Sequence, residues 1–273
     1  MYSIILSVLI GVAAGSGLGF ARVSAVGWAV FFGILAAAVA YGLFTLHFKR
    51  RLTATMTAFQ GEMLEGQRKL QNRMAQFQTR PQGSPQQMLA QLESMQRKLL
   101  EGALERTKEF DAFNNWVPLM SRQTATMRMQ LNYQMRNFAE AEALMPKCLY
   151  LDPISMAMNL AQMYRAEKPT EEILKAFRRF SVRLKYNQGP IVYALMAWIQ
   201  VQRNDVDAAY KTMLDACKNN EHDTLNRNRD RLANDKVREF SNAGFGEAWY
   251  ALLLEQPKVT VRRQQMRPDG RPF

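Results

Sequence analysis

The first 48 residues constrain the fold of this chain most, because Arg22 is their only charged side chain. Two uncharged runs, residues 2–20 and residues 26–46, flank the short linker that holds Arg22. A helix needs about 20 apolar residues to cross the hydrocarbon core of a bilayer, and each run is close to that length. A cleaved signal peptide would begin with basic residues, and none precedes the first run. Residues 1–48 are therefore predicted to form a hairpin of two transmembrane helices.

Three basic residues set the expected orientation of this hairpin. Lys49, Arg50 and Arg51 directly follow the second run. Basic residues near the ends of membrane spans are retained on the cytoplasmic side. This predicts a multi-pass protein of a bacterial inner (cytoplasmic) membrane, with its C-terminal domain in the cytoplasm. The same three cations are expected to contact lipid headgroups.

Three glycines on the first run suggest how the two spans meet. Gly11, Gly15 and Gly19 recur every four residues, so they fall on one face of a helix. Small residues at this spacing allow close approach of a second helix within a membrane. They are predicted to pack against the second span or a partner span. The alternative is that small residues are simply common in membrane helices.

Residues 49–113 carry two amphipathic helical patterns. Apolar residues recur at gaps of three, four and seven over residues 52–77 and again over residues 88–110. Such a narrow seam is typical of a coiled coil. Pro81 ends the first pattern, and Ser84 followed by Pro85 offers an N-cap for the second. The segment is predicted to be a coiled-coil-like helical hairpin, whose Met-rich seam either docks a partner or closes the hairpin on itself.

A repeat pattern occupies residues 114–223. A small residue, a large apolar residue and another small residue recur at spacings of four and three, first with a proline five residues later and then again after 68 residues. The positions are Ala141, Met145, Cys148 and Pro153, and then Ala209, Met213 and Ala216. This resembles the second helix of the tetratricopeptide repeat, whose period is 34 residues. The resemblance implies three degenerate repeats stacked in an α-solenoid, in a chain that is all-α.

The resemblance also implies where a partner would bind. In the tetratricopeptide family, the first helix of each repeat lines a concave groove that holds a peptide or a partner helix. Carried onto this sequence, the candidate groove residues are Gln130, Tyr133, Gln134, Met158, Gln162, Arg165, Trp198 and Gln202. Aromatic residues tend to contribute most of the binding free energy at interfaces, so Tyr133 and Trp198 are expected to be the main partner contacts. The alternative for Trp198 is packing between helices.

The remainder of the chain is predicted to close the repeat stack. Residues 224–256 are assigned to capping helices, the two short helices being residues 232–240 and residues 246–255. Residues 257–273 are expected to be a basic flexible tail, since they hold five Lys or Arg and a single Asp.

The charge distribution bears on the class of partner. The formal net charge is +12, and a basic balance admits nucleic acid. By segment, however, the net charge is +5 over residues 49–110 and +4 over residues 224–273, but only +2 over residues 111–223. An excess beside the spans and in the tail favours anionic lipid headgroups or an acidic partner. The predicted partners are therefore a protein and membrane lipids, with no nucleic acid.

The sequence offers little for catalysis or metal binding. It contains two histidines, His47 and His222, and two cysteines, Cys148 and Cys217, without metal-site spacing. The cysteines fall at helix positions where core packing is expected rather than redox chemistry. The chain is predicted to be no enzyme and to bind neither metal nor cofactor.

Two functions fit these predictions. The first is a membrane-anchored scaffold or adaptor that recruits a partner protein at the cytoplasmic membrane face. The alternative is a structural or assembly subunit of a larger membrane complex for envelope, secretion or biogenesis, with the glycine face and the Met-rich hairpin as assembly surfaces. A homo-oligomer formed through the helical hairpin or the spans is compatible with both.

Overall fold

The computed structural model describes residues 2–20, 26–79, 84–184 and 186–257, and these ranges hold helices and turns without a strand. The prediction of an all-α chain is confirmed. Two compact units are present, Met1–Leu149 and Tyr150–Phe273, so the boundary lies within the predicted repeat segment 114–223. The predicted linker at residues 21–25 and the basic tail at residues 258–273 lie outside the described residues.

Unit 1 begins with two helices, α1 (Tyr2–Phe20) and α2 (Val26–Thr79), which pack against each other. Helix α2 has 54 residues, and at a rise of ~1.5 Å per residue it is about 80 Å long. It runs without a break from the second apolar run into the amphipathic pattern. Among the described residues, α2 is the one helix long and apolar enough to cross a membrane. Its apolar window has a mean hydropathy of 1.9 and is 6% buried, unlike the core helix of a soluble protein.

Helix α3 (Pro85–Arg106) folds back along the second half of α2. Its predicted N-cap is confirmed, because Gln87 N donates to Ser84 Oγ at 3.3 Å and Ser84 N donates to Gln87 Oε1 at 3.2 Å. At its other end, Arg106 forms an ion pair with Glu62 of α2. The two helices therefore run antiparallel.

The base of this hairpin is closed by a 3-10 helix (Thr107–Phe113) and by α4 (Met120–Gln134). Phe110, Phe113 and Met120 form a buried cluster, and Phe48 and Leu52 of α2 pack against it. The unit ends with α5 (Phe138–Leu144) and a 3-10 turn (Met145–Lys147). Helix α5 is short because Pro146 has no backbone N–H to continue the ladder of hydrogen bonds.

Unit 2 contains α6 (Pro153–Arg165), α7 (Thr170–Ser181), α8 (Pro190–Gln202) and α9 (Val206–Asn219). Consecutive helices pack in pairs, and α6 also packs against α8, in which residues 191–200 are all buried. Pro190 is the first residue of α8. Helix α7 begins at Thr170, with Pro169 as its N-cap residue. The Thr170 hydroxyl accepts a hydrogen bond from Arg203 Nη1 at 2.6 Å.

The last part of unit 2 departs from the helices expected at residues 232–240 and 246–255. The structure has α10 (Asp223–Ala233), two 3-10 turns (Val237–Glu239 and Ala243–Phe245) and a single-turn helix α11 (Glu247–Tyr250). The pattern of apolar residues does not reveal α10, because the buried face of this helix includes Leu225, Asn228 and Leu232. An asparagine stands where an amphipathic helix usually has an apolar residue.

Candidate functional site

The candidate groove residues of unit 1 lie on α4 and differ in exposure. Gln134 is exposed and Gln130 is half-buried. Tyr133 is fully buried, with its ring edge-on to Phe138 at a centroid distance of 5.4 Å. Tyr133 was an expected contact residue, but a fully buried side chain presents no surface to a partner in this structure.

The candidate groove residues of unit 2 are mostly covered. Met158 and Gln162 of α6 are buried, and Trp198 of α8 is 7% exposed. Arg165 is half-buried, and only Gln202 is exposed. The interpretation of these positions therefore depends on what covers them.

Residues 247–255, hereafter the C-terminal segment, cover Trp198. Glu255 Oε1 accepts a hydrogen bond from Trp198 Nε1 at 2.7 Å, and Glu255 Oε2 accepts one from Trp249 Nε1 at 2.7 Å. The two indole rings meet edge-to-face with centroids 5.8 Å apart. Tyr164 extends this cluster, with its ring 5.2 Å from that of Trp198. Each carboxylate oxygen thus has an indole donor, and hydrogen bonds to an ionised acceptor are stronger than those between neutral groups.

A second contact holds the backbone of the C-terminal segment. Arg165 Nη2 donates to the carbonyl oxygen of Leu253 at 3.1 Å. Leu253 has a φ of 55°, in the left-handed region that a leucine rarely adopts. Its neighbour Leu252 is fully buried. Arg165 and Trp198, two of the candidate groove residues, are therefore both engaged by the same short segment of the chain itself.

An asparagine network attaches the preceding loop to α8. Asn228 Nδ2 donates to Asn242 Oδ1 at 2.9 Å and to the Ser241 carbonyl oxygen at 3.1 Å. Asn242 Nδ2 in turn donates to the carbonyl oxygen of Ala194 at 3.0 Å. These buried bonds fix where the C-terminal segment begins. The sequence gives no sign of them, because isolated asparagines usually indicate loops.

The chemistry of this site is that of carboxylate recognition. Sequence reasoning missed Glu255 and Leu253, and it noted Trp249 only as part of a cap. No local spacing signals such a contact, since Trp198 and Glu255 are 57 residues apart. Trp198 and Arg165 contact the segment from α8 and α6, and Trp249 supplies a second indole N–H donor from within it. All three groups recognise hydrogen-bond acceptors. The arrangement holds an acidic turn of the chain itself.

The two cysteines differ in burial. Cys148 is buried, and Cys217 is half-buried. Burial raises the pKa of the Cys217 thiol above its ordinary value, which keeps it protonated and unreactive at neutral pH. Within the described ranges, no three His, Cys, Asp or Glu side chains lie together as a metal site would require.

The glycine face of α1 lies against α2. A Cβ placed on Gly11 would lie 2.6 Å from the Gly33 carbonyl oxygen and 2.7 Å from Ala37 Cβ. A Cβ on Gly33 would lie 3.3 Å from Gly15 Cα. The two helices can approach this closely only because glycine has no side chain there. Gly19 belongs to α1, but its surroundings lie outside the described residues.

The three basic residues follow the apolar part of α2. Lys49, Arg50 and Arg51 are all exposed, and none of them forms an ion pair within the described residues. An open cavity of about 850 Å³ lies beside Arg50 and is otherwise lined mainly by apolar side chains of α1 and α2. Unpaired cations beside an apolar surface are suited to an anionic amphiphile.

Comparison with known proteins returned no match to this chain among protein-family models, curated proteins or solved structures. The geometry of the described residues is therefore what indicates the function of this protein.

Proposed function

We propose that this protein is a membrane-anchored adaptor. In this proposal α1 and the apolar part of α2 cross a bacterial inner membrane as a hairpin. They hold a tetratricopeptide-like helical domain at the cytoplasmic face, where it recruits a partner protein. Three observations support the anchor: the exposed apolar surface of α2, the close packing at Gly11 and Gly33, and the basic cluster at residues 49–51.

The contact of Glu255 with Trp198 and Trp249 carries the recruitment half of the proposal. It supports a surface on α6 and α8 that binds an acidic turn through its carboxylate and one backbone carbonyl. In the free protein the C-terminal segment occupies this surface. A partner that presents an acidic residue three positions after an apolar one, as Glu255 follows the buried Leu252, would compete for the same donors. Recruitment would then be an exchange of one segment for another.

Two truncated chains test this surface directly. One ends at Tyr250 and exposes Trp198, whereas its matched control ends at Pro257 and retains Glu255. The probe is a fluorescein-labelled peptide with the sequence of residues 251–257, and the readout is its fluorescence anisotropy. We expect the shorter chain to bind the peptide and the longer chain to bind it much more weakly, because its site is already filled.

Substitutions make the binding test specific. Changing the glutamate of the peptide to glutamine removes one acceptor oxygen, and Trp198→Phe in the shorter chain removes one donor. A hydrogen bond to a charged group contributes about 1.5–3 kcal/mol, so each change should weaken binding roughly tenfold or more. Absence of peptide binding by a shorter chain that retains its helical circular dichroism would rule out the proposed surface.

A second candidate function is a structural or assembly subunit, which two exposed leucines on the hairpin of α2 and α3 favour. Leu64 is 56% exposed and Leu89 is 61% exposed, which suits a surface buried by another chain. Light scattering in detergent distinguishes this function. A subunit of this kind would lose an oligomer when Leu64→Lys and Leu89→Lys are combined, whereas the adaptor would keep its mass.

A further inference from the structure

A loop of unit 1 returns to the start of α1. This loop, residues 114–119, connects the 3-10 helix to α4 and is hereafter the return loop. Tyr2 N donates to the carbonyl oxygen of Asn115 at 2.9 Å, and Ser3 Oγ donates to the carbonyl oxygen of Trp116 at 3.1 Å. The first N–H groups of a helix have no acceptor within the helix, so the return loop supplies acceptors to α1.

An aromatic cluster fixes the return loop at one end of the apolar helices. The ring of Trp116 stacks on Phe48 of α2 at a centroid distance of 4.4 Å and an interplanar angle of 18°. On its other side it meets Tyr2 edge-on at 5.8 Å. Phe48 is the last residue before the basic cluster. The loop therefore lies where the apolar parts of α1 and α2 both end.

The second half of the return loop, residues 116–119, is apolar and partly exposed. Residues 112–119 carry no charge, and Trp116, Val117, Pro118 and Leu119 follow one another. Leu119 is 54% exposed and has a φ of 63°, a conformation in which asparagine or glycine would be less strained. Contact of the Leu119 side chain with water costs free energy, whereas contact with an apolar medium does not.

We propose that residues 116–119 of the return loop insert into the boundary between headgroups and acyl chains of the cytoplasmic leaflet. This proposal rests on the membrane anchor described above. Tryptophan and tyrosine favour this boundary, because their rings are apolar and carry one polar group. The adjacent exposed cations Lys49, Arg50 and Arg51 would contact anionic headgroups at the same depth. The return loop thus adds a membrane contact to those of α1 and α2. It holds the base of the α2–α3 hairpin at the bilayer surface.

Site-directed spin labelling of the full chain tests this insertion. Single cysteines at three leucines of similar exposure are compared after Cys148→Ala and Cys217→Ala remove the native thiols: Leu43 at 65%, Leu119 at 54% and Leu89 at 61%. The labelled chains are reconstituted in vesicles of phosphatidylethanolamine and phosphatidylglycerol. Collision with oxygen reports lipid and collision with a water-soluble nickel chelate reports water. A label at Pro118 repeats the measurement, in case substitution of Leu119 alters the loop.

The three positions separate the possible outcomes. We expect a lipid signature at Leu43, a shallow lipid signature at Leu119 and Pro118, and an aqueous signature at Leu89. A lipid signature at Leu43 with aqueous signatures at both loop positions would overturn loop insertion and leave the anchor intact. An aqueous signature at Leu43 would overturn the anchor, and loop insertion with it.

Discussion

At the residue scale, the carboxylate of Glu255 is the feature on which the proposed binding surface depends. Its two oxygens accept from Trp198 and Trp249 at the same distance, 2.7 Å. The surrounding contacts, from Arg165 to Leu253 and from Tyr164 to Trp198, are arranged around this pair. The Glu255 side chain, which is otherwise exposed, is thereby held in a single position.

Substitution of Glu255 should loosen the C-terminal segment. Glu255→Gln keeps one acceptor oxygen but loses the other and the charge, so we expect unit 2 to lose about 1.5–3 kcal/mol of unfolding free energy. The exposed Glu247 at the other end of the segment serves as a control, and Glu247→Gln should change little. Urea unfolding followed by tryptophan fluorescence measures both. Equal effects of the two substitutions would argue against a specific contact at Glu255.

A second residue-scale prediction concerns the contact between α1 and α2. In Gly11→Ala the added Cβ would meet the Gly33 carbonyl and Ala37, and overpacking of this kind typically costs about 1–3 kcal/mol. Gly42 of α2 is the matched control, because a Cβ there meets nothing within 4 Å. Gly42→Ala should be neutral or slightly stabilising, since alanine favours helix. Thermal unfolding in mild detergent compares the two, and equal melting temperatures would contradict close packing at Gly11.

At the element scale, α2 joins two environments within one helix. Its apolar part is exposed, whereas Phe48, Leu52 and Met56 pack on the cluster of the 3-10 helix and α4. No glycine or proline interrupts residues 43–60, so nothing in the sequence marks the transition except the cations at residues 49–51. The apolar part of α2 is thus joined to the part that packs on the cluster by one unbroken helix.

The cap of α3 provides an element-scale prediction. Ser84→Ala removes the acceptor for Gln87 N, and loss of an N-cap typically costs about 0.5–2 kcal/mol. Hydrogen exchange in the first turn of α3 should therefore become faster. Ser84→Asp retains an acceptor and should restore slow exchange. If the alanine and aspartate variants exchange alike, the cap does not stabilise this helix.

The elements differ in how well the sequence predicts them. Ser84 with Pro85 predicts the start of α3 correctly, because capping depends on neighbours in the chain. Helix α10 was missed, because its buried Asn228 is satisfied by residues 241 and 242 in a later loop. The contact of Glu255 with Trp198 was missed for the same reason, as it joins positions far apart in sequence. Local rules cannot foresee a polar group whose partner is supplied by tertiary structure.

At the scale of the whole molecule, the charge of +12 has a structural interpretation. The cations at residues 49–51 are exposed and form no ion pair within the described ranges, whereas Arg106, Arg128 and Arg229 elsewhere each have an acidic partner. Unpaired cations that directly follow an apolar helix favour retention of that end in the cytoplasm. In the proposed topology, the part of unit 1 that follows residue 51 and the whole of unit 2 would lie on the cytoplasmic side, where the proposed partner is recruited.

The membrane topology of the chain tests whether a membrane hairpin holds its C-terminal part in the cytoplasm. The full chain is fused after Phe273 either to a fluorescent protein that matures only in the cytoplasm or to a phosphatase that is active only outside it. We expect fluorescence from the first fusion and no phosphatase activity from the second, with both fusions remaining in the membrane fraction after alkaline extraction. Phosphatase activity without fluorescence, or release of the fusions by extraction, would contradict a cytoplasmic adaptor held by a membrane hairpin.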